Sequence, residues 1–253
     1  MRPDQITIIT PSLHSADVIG DCVRSVARQE PVAEHEHLVV DGESEDGTLV
    51  VLKSQGFNGK LITEPPRGIY SAINTGIKGS SGAIVGILHA DDFYATKTVL
   101  ASVRDAFDDP AVDACFGDLC YVDNAKPSRI VRYWRAGEFS RKKILNGWMP
   151  PHPTLFVRRK CYEQFGLYRT DLGTAADYEM ILRLLVKHEI NAVYIPEVLV
   201  HMRTGGASNS SWRARIQANR MDSKAWKVNG LRPYPWTTIA KPLRKIGQWI
   251  SRP

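Results

Sequence analysis

The chain has 253 residues, 43% hydrophobic and 24% charged, which leaves room for one large α/β domain or two small ones and excludes a long disordered chain. The net charge of +6 is uneven: residues 201–253 hold eleven Lys/Arg and one acid, whereas residues 1–200 hold 22 basic and 26 acidic side chains. A mildly acidic body with a basic tail suits a polyanionic partner: a phospholipid surface, nucleic acid or phosphate groups on a substrate. The four cysteines, Cys22, Cys115, Cys120 and Cys161, form no CxxC pair and no metal-ligand spacing with histidine, so they read as reduced thiols of a cytoplasmic protein. Strand-like ITIIT begins at residue 6, leaving no room for a signal peptide, and the longest apolar run, AIVGIL at 83–88, falls far short of the roughly 20 residues that span a bilayer.

ITIIT at 6–10 reads as a buried strand, and 15–29 as a helix, because Val18, Ile19, Cys22, Val23, Val26 and Ala27 recur at three- and four-residue spacing; Ser15 is its expected N-cap. HLVVDG at 37–42 is the next strand, DGTLVVLKSQG the next helix with Asp46 as its cap, and KLITE at 60–64 a third strand. IYSAINTGIKG reads as a helix, AIVGILHADD at 83–92 as a strand leaving its sheet at an acidic pair, 97–107 as a helix and 112–121 as a strand. The second half is less regular: a strand at 152–159, an amphipathic helix at 175–188 and a strand at 191–196 ending at Pro196. Strand–helix alternation predicts a parallel sheet with helices on both faces. Ligands of such sheets bind beyond the carboxyl ends of the strands. Thr10-Pro11-Ser12, Asp41-Gly42-Glu43-Ser44 and His89-Ala90-Asp91-Asp92 all fall there, although turns also favour these residue types.

Asp91-Asp92 is the sharpest local feature. Two carboxylates leaving an apolar strand suit a hard divalent cation shared with phosphates, and a helix-capping turn is the simpler alternative. Asp41 ends a strand where an acid can bind a ribose or a base edge. Asp177 and Glu179 open a helix, where the dipole alone favours acids; two residues apart, at most one of them faces a cavity as a general base. Arg67, Arg203 and TGGAS at 204–208 suit phosphate. In 237–251, Ile239, Leu243, Ile246 and Ile250 share a helical face beside Lys241, Arg244, Lys245 and Trp249. Such a helix suits an anionic membrane surface, and packing on its own domain is the alternative.

Taken in order, ITIITPSLHSADVIGDCVRSVARQ, VVDGESEDGT, EPPRGIYSAINTGI, GAIVGILHADDFY, GDLCYVD, PHPTLFVRR, AADYEMILRLL and HMRTGGAS resemble the family 2 glycosyltransferases of the inverting, GT-A-folded type, over residues 5–208. The chain looks closest to members that build bacterial surface polysaccharides, including lipopolysaccharide. The resemblance implies one mostly parallel nucleotide-binding α/β sheet flanked by helices in residues 1–208, with the nucleotide-sugar half in 1–120 and the acceptor and catalytic half in 121–208. A basic extension follows over 209–253. It implies donor contacts from Thr10, Pro11, Ser12, Asp41, Ser44, Arg67, Asn74, Ala90, Asp91 and Arg203. It implies Mn²⁺ or Mg²⁺ on Asp92, Asp177 as catalytic base, and acceptor or secondary contacts from His89, His152 and Glu179. The implied reaction takes a sugar from a nucleotide-diphosphate sugar, UDP-sugars favoured, to a lipid-linked or oligosaccharide acceptor, at the inner face of the cytoplasmic membrane.

Related chains often read EPDxGIYDAMN, so Pro66 and Ser71 stand where acids are common and His89 replaces a small polar residue. These departures support a second reading, a catalytically inactive homologue that binds nucleotide or scaffolds an assembly. A nucleotidyltransferase would need a Gly-rich basic loop after the first strand, and a dinucleotide dehydrogenase GxGxxG; TPSLHSAD is neither. No nucleic-acid-binding module accompanies the basic tail, so no nucleic-acid partner is expected.

Overall fold

A computed structural model of the chain describes residues 5–30, 35–205 and 212–237. Its first half alternates β1 (Ile6–Ser12), α1 (Ile19–Ala27), β2 (His35–Asp41), α2 (Thr48–Ser54), β3 (Lys60–Thr63), α3 (Ile69–Gly79) and β4 (Ile84–Ile87), and the four strands are parallel. Then come β5 (Phe93–Tyr94), α4 (Val99–Phe107), β6 (Ala114–Val122), β7 (Ile130–Trp134), α5 (Arg141–Leu145), β8 (Phe156–Arg158) and α6 (Arg159–Phe165). Helix α7 (Ala176–Ile181) continues as a π-helical turn, Leu182–Lys187, before β9 (Ala192–Arg203) and α8 (Trp212–Val228). The strands form one mixed sheet in the order β3-β2-β1-β4-β8-β6-β9-β5, with β7 on β6.

Alternating side chains of the buried strands feed two cores. Ile6, Ile8 and Ile84 pack with Cys22 and Val26 of α1 and Val99 and Val103 of α4. Ile9, Val40 and Ile87 join Ile73 and Ile77 of α3, Tyr178 and Ile181 of α7 and Trp226 of α8 on the other face. Helix α3 approaches β1 closely because Gly76 has no side chain: a Cβ there would lie 2.4 Å from Ile9 Cγ2. All four cysteines are buried free thiols.

Several elements differ from the sequence-based expectation. Residues 152–159 were expected as a strand, but His152–Thr154 is a 3₁₀ turn and only Phe156–Arg158 pairs, antiparallel to both β4 and β6. Strand β9 runs through Pro196 to Arg203, and its pairing with β6 shifts register between Phe116 and Asp118, where the irregularity accommodates a proline without N–H. Ser15 does not cap α1; its hydroxyl donates to Leu13 O (3.2 Å) and the helix starts after Val18. The N-cap of α2 is Gly47, not Asp46, which stands one residue earlier and accepts from Thr48 N at 3.0 Å. The basic amphipathic helix expected at 237–251 lies outside the described residues beyond Thr237. Among the described residues no helix is long and apolar enough to cross a membrane.

Candidate active site

Beyond Leu88, whose N–H donates to Ile9 O (3.0 Å), the chain leaves β4 in a turn closed by Asp92 N to His89 O (3.0 Å). The turn sends its two acids to different surroundings. Asp92 is 0% exposed, and among the described residues neither carboxylate oxygen has a hydrogen-bond partner of good geometry. Burial and the neighbouring Asp91 raise its pKa well above the carboxylate range, against the pull of Arg203. Asp91 is half-buried, and Ala90 between it and His89 is buried. His89, whose Nδ1 has no partner among the described residues, is held neutral by burial and by His152 down to a pKa of about 4; Asp91 and Asp177 oppose that shift.

The carboxyl ends of β1 and β2 make the adjoining wall. Ser12 pairs in register with Asp41, and its buried Oγ has no partner among the described residues. Asp41 is fully buried; its two oxygens accept from Ser44 N and Ser44 Oγ, both at 2.8 Å. Pro11 continues β1 opposite Val40. The Thr10 side chain turns away from this wall: Oγ1 bonds His37 Nε2 at 3.0 Å in the core beside Cys22, so any donor contact from Thr10 falls to its backbone. Asn74 is likewise committed. Its amide donates to Tyr168 O (2.8 Å) and accepts from Tyr168 N (2.9 Å), which clamps the loop after α6 onto α3 instead of facing a donor. Arg67 is exposed just before α3.

The second half supplies the opposite wall. Asp177, half-buried at the start of α7, accepts from Tyr178 N (2.6 Å). It neighbours Tyr70 and Tyr168, raising the pKa of both phenols beyond what burial does. Tyr70 stacks on Tyr168 (centroids 5.7 Å), and the Tyr168 hydroxyl bonds His152 Nε2 at 3.0 Å. His152 therefore faces His89 (centroids 6.0 Å) with one ring nitrogen engaged.

One expected contact needs correction. Glu179 is 2% exposed, and its oxygens are taken by a fork from Arg183 (3.0 and 2.9 Å) and by Asn229 (3.2 Å), so it stabilises the α7–α8 layer and cannot meet an acceptor. Arg203, expected at the diphosphate after a loop closes, here ion-pairs with Asp21 of α1, donates to Asn124 O (3.3 Å) and lies over the Phe93 ring. Of TGGAS, only Thr204 and Gly205 are described. Tyr168, Tyr70 and Asp21 were not singled out by the sequence. The first two carry no local signal beyond lying near Asn74 and α6, and Asp21 meets Arg203 across 182 positions.

The donor set is one of hard oxygens with one imidazole. Among the described residues no group of three His, Cys, Asp or Glu forms a metal cage. A buried carboxylate, Asp92, whose two oxygens have no hydrogen-bond partner among the described residues, next to half-buried Asp91, fits Mg²⁺ or Mn²⁺ held partly by protein and partly by diphosphate oxygens and water, the usual arrangement at phosphate sites.

The model of the family described as Glycosyl transferase family 2 matches residues 7–165, which take in β1 to α6 and leave out Tyr168 and α7 of the walls above. The chain belongs to this family. An uncharacterised glycosyltransferase of Mycobacterium tuberculosis is 31% identical over 184 residues, 70% of this chain and 68% of the relative. A PGL/p-HBAD biosynthesis glycosyltransferase of Mycobacterium bovis is 27% identical over 83% of this chain and 81% of its own. Among solved structures, S. aureus TarS 1–349 in complex with UDP-GlcNAc superposes with a TM-score of 0.65 at 16% identity over 97% of this chain and 78% of that one. The mannosyltransferase PcManGT of Pyrobaculum calidifontis, in complex with GDP-Man and Mn²⁺, gives 0.65 at 22% identity over 93% of this chain and 68% of that one. The chain spans 42% of a longer TarS chain that it also matches. The fold of this family 2 glycosyltransferase is thus of the GT-A type.

Proposed function

We propose that the chain moves a sugar from a nucleoside diphosphate-sugar, a UDP-sugar in first preference, to a hydroxyl of a lipid-linked glycan, with inversion. The observation that carries this reading is the line of contacts that joins the two halves of the domain at one edge of the sheet: His89, in the turn that carries Asp91, faces His152 (centroids 6.0 Å), and His152 bonds the hydroxyl of Tyr168 (3.0 Å), on which Tyr70 stacks beside Asp177. Two acids from different halves, Asp91 and Asp177, flank this line and suit two tasks. The UDP-GlcNAc bound by TarS supports the donor class, and the Mn²⁺ of PcManGT supports metal use.

Ser12 and Asp41 line the nucleoside end, with Asp41 held rigid by Ser44. Asp92 keeps the metal role expected of it: both of its carboxylate oxygens are buried and unpartnered among the described residues, a condition that a cation would satisfy, and half-buried Asp91 beside it is left to meet the ribose or sugar. A bound Mn²⁺ or Mg²⁺ would neutralise charge on the departing diphosphate. Asp177 takes the acceptor hydroxyl proton, and the oxygen attacks the anomeric carbon. The bond to the diphosphate oxygen breaks as the glycosidic bond forms, and the nucleoside diphosphate leaves with the electron pair. Tyr70 and Tyr168 wall Asp177 on the α3 side.

The test is transfer by wild type and Asp177→Asn, with the product's anomeric configuration read by NMR. The reading expects inversion, and at least a ~10²-fold loss of kcat in D177N with nucleotide affinity kept, the scale of a lost general base. Retention of configuration, or near-normal turnover in D177N, refutes it. Absence of any nucleotide binding would favour the inactive-homologue reading.

A further inference from the structure

After α8 the chain turns at Pro233-Tyr234-Pro235-Trp236 and fastens this turn to the end of α5. Trp236 Nε1 donates to Asn146 Oδ1 (3.0 Å), Thr237 Oγ1 donates to Leu145 O, and Thr237 N closes the turn on Tyr234 O (3.0 Å). The polar edge of the indole is thereby satisfied against the protein while its ring faces out: Trp236 is 51% and Tyr234 41% exposed, stacked with centroids 4.9 Å apart. Two prolines and the two ties hold the pair rigid, so little conformational freedom remains to be lost when the rings are covered.

The surroundings are basic. Helix α5 reads RKKIL and carries exposed Arg141 and Lys142, and Arg232 is exposed four residues before Trp236. Glu189 pairs with Arg141 and the Lys143 ammonium donates to Glu138 O (2.6 Å), so Lys142 and Arg232 are the exposed cations of this helix and turn that hold no ion pair among the described residues. The chain beyond Thr237 adds four Lys/Arg and no acid over residues 238–253. Amphipathic aromatics with an apolar face outward and a satisfied polar edge inward, with cations on the adjoining helix end and chain, match the headgroup layer of a bilayer. The charge points to anionic lipid.

We propose that the Tyr234–Trp236 turn and the α5 end form a membrane-docking surface for anionic phospholipid bilayers. The surface lies in the half of the domain that carries Asp177, since Trp226 of α8 bonds the hydroxyl of Tyr178 in α7 (3.0 Å) just before the turn begins. The proposal stands independently of the transfer chemistry.

The test is co-sedimentation of the full chain with extruded vesicles of phosphatidylcholine alone or with 30 mol% phosphatidylglycerol (a composition on the order of anionic leaflets), for wild type, Y234S/W236S, K142E/R232E and a chain ending at Thr237. UDP binding is measured in parallel to certify each variant. The expected result is wild-type binding to the anionic vesicles, weak binding to phosphatidylcholine, and at least a tenfold loss in Y234S/W236S. In K142E/R232E the loss is expected to exceed about 25-fold, about fivefold for each cation removed, the factor that ~1 kcal/mol corresponds to. The chain ending at Thr237 should retain measurable, salt-sensitive binding. Three results overturn the proposal: no wild-type binding, unchanged binding in Y234S/W236S, or complete loss on truncation alone, which would assign binding to 238–253. Concentration-dependent dimerisation lost in Y234S/W236S without vesicle binding would give the surface to a second copy and overturn it too.

Discussion

Glu179 and Asp177 stand two residues apart, and the structure gives them opposite fates, which Glu179→Ala tests. In the wild type the Glu179 carboxylate is 2% exposed and receives two fork bonds from Arg183 and one from Asn229. Removing it leaves a buried guanidinium without its counter-charge, a change that costs about 3–5 kcal/mol. Arg183 keeps three carbonyl acceptors, on Phe165, Gly166 and Leu167, so the low end applies, about 3 kcal/mol. For a chain of this length that is a fall in Tm of about 6–12 °C. Glu179→Gln keeps the shape and one acceptor and should lose about half as much. The assay is thermal and urea unfolding beside initial-rate kinetics at a temperature where every variant is folded. The expected result is a large loss of stability with kcat/KM within about threefold of wild type for E179Q. A stable E179Q with kcat/KM down a hundredfold would refute the structural role and return Glu179 to the acceptor site.

Stability should also fall in acid through buried histidines. Burial lowers the pKa of His37 to about 3 and of His152 to about 4, so the folded state binds fewer protons than the unfolded chain below pH 6.5. Stability is therefore full above that pH and declines toward pH 4 by up to about 1.4 kcal/mol per pH unit for each histidine; urea melts of H37N should show a shallower pH slope than wild type. At Gly86 a Cβ would lie 2.4 Å from the Phe156 ring, so Gly86→Ala should cost about 1–3 kcal/mol by overpacking, read by chemical unfolding, and Phe156→Leu in the same chain should recover part of it.

The first half of the fold was legible because β1, β2 and β4 are buried on both faces and read as unbroken apolar runs, each followed by a helix of clear period. The second half was not. Its strands are a two-residue β5, an exposed-edge β7 and a three-residue β8, too short for periodicity to register, and β9 crosses a proline that reads as a stop. The walls of the candidate site were legible where a polar residue ends a strand, as at Ser12, Asp41 and Asp91. They were misread where identity conceals direction. Thr10 and Ser12 share a strand face, yet Thr10 sits one step deeper and meets His37 instead of open space. Asp91 and Asp92 are adjacent, and only the three-dimensional turn decides which is enclosed. Arg203 finds Asp21, and Asn74 finds Tyr168, across separations that no local pattern encodes.

The central claim is that the Asp91-Asp92 turn meets a metal-bound diphosphate, with Asp92 holding the ion. The most direct measurement is calorimetric titration of UDP, with and without Mn²⁺, into wild type and D92N, each certified folded by circular dichroism. The predicted result is Mn²⁺-dependent binding to wild type, weakened at least about tenfold (~1.4 kcal/mol) in D92N. Binding that ignores Mn²⁺, or that survives unchanged in D92N, would contradict it.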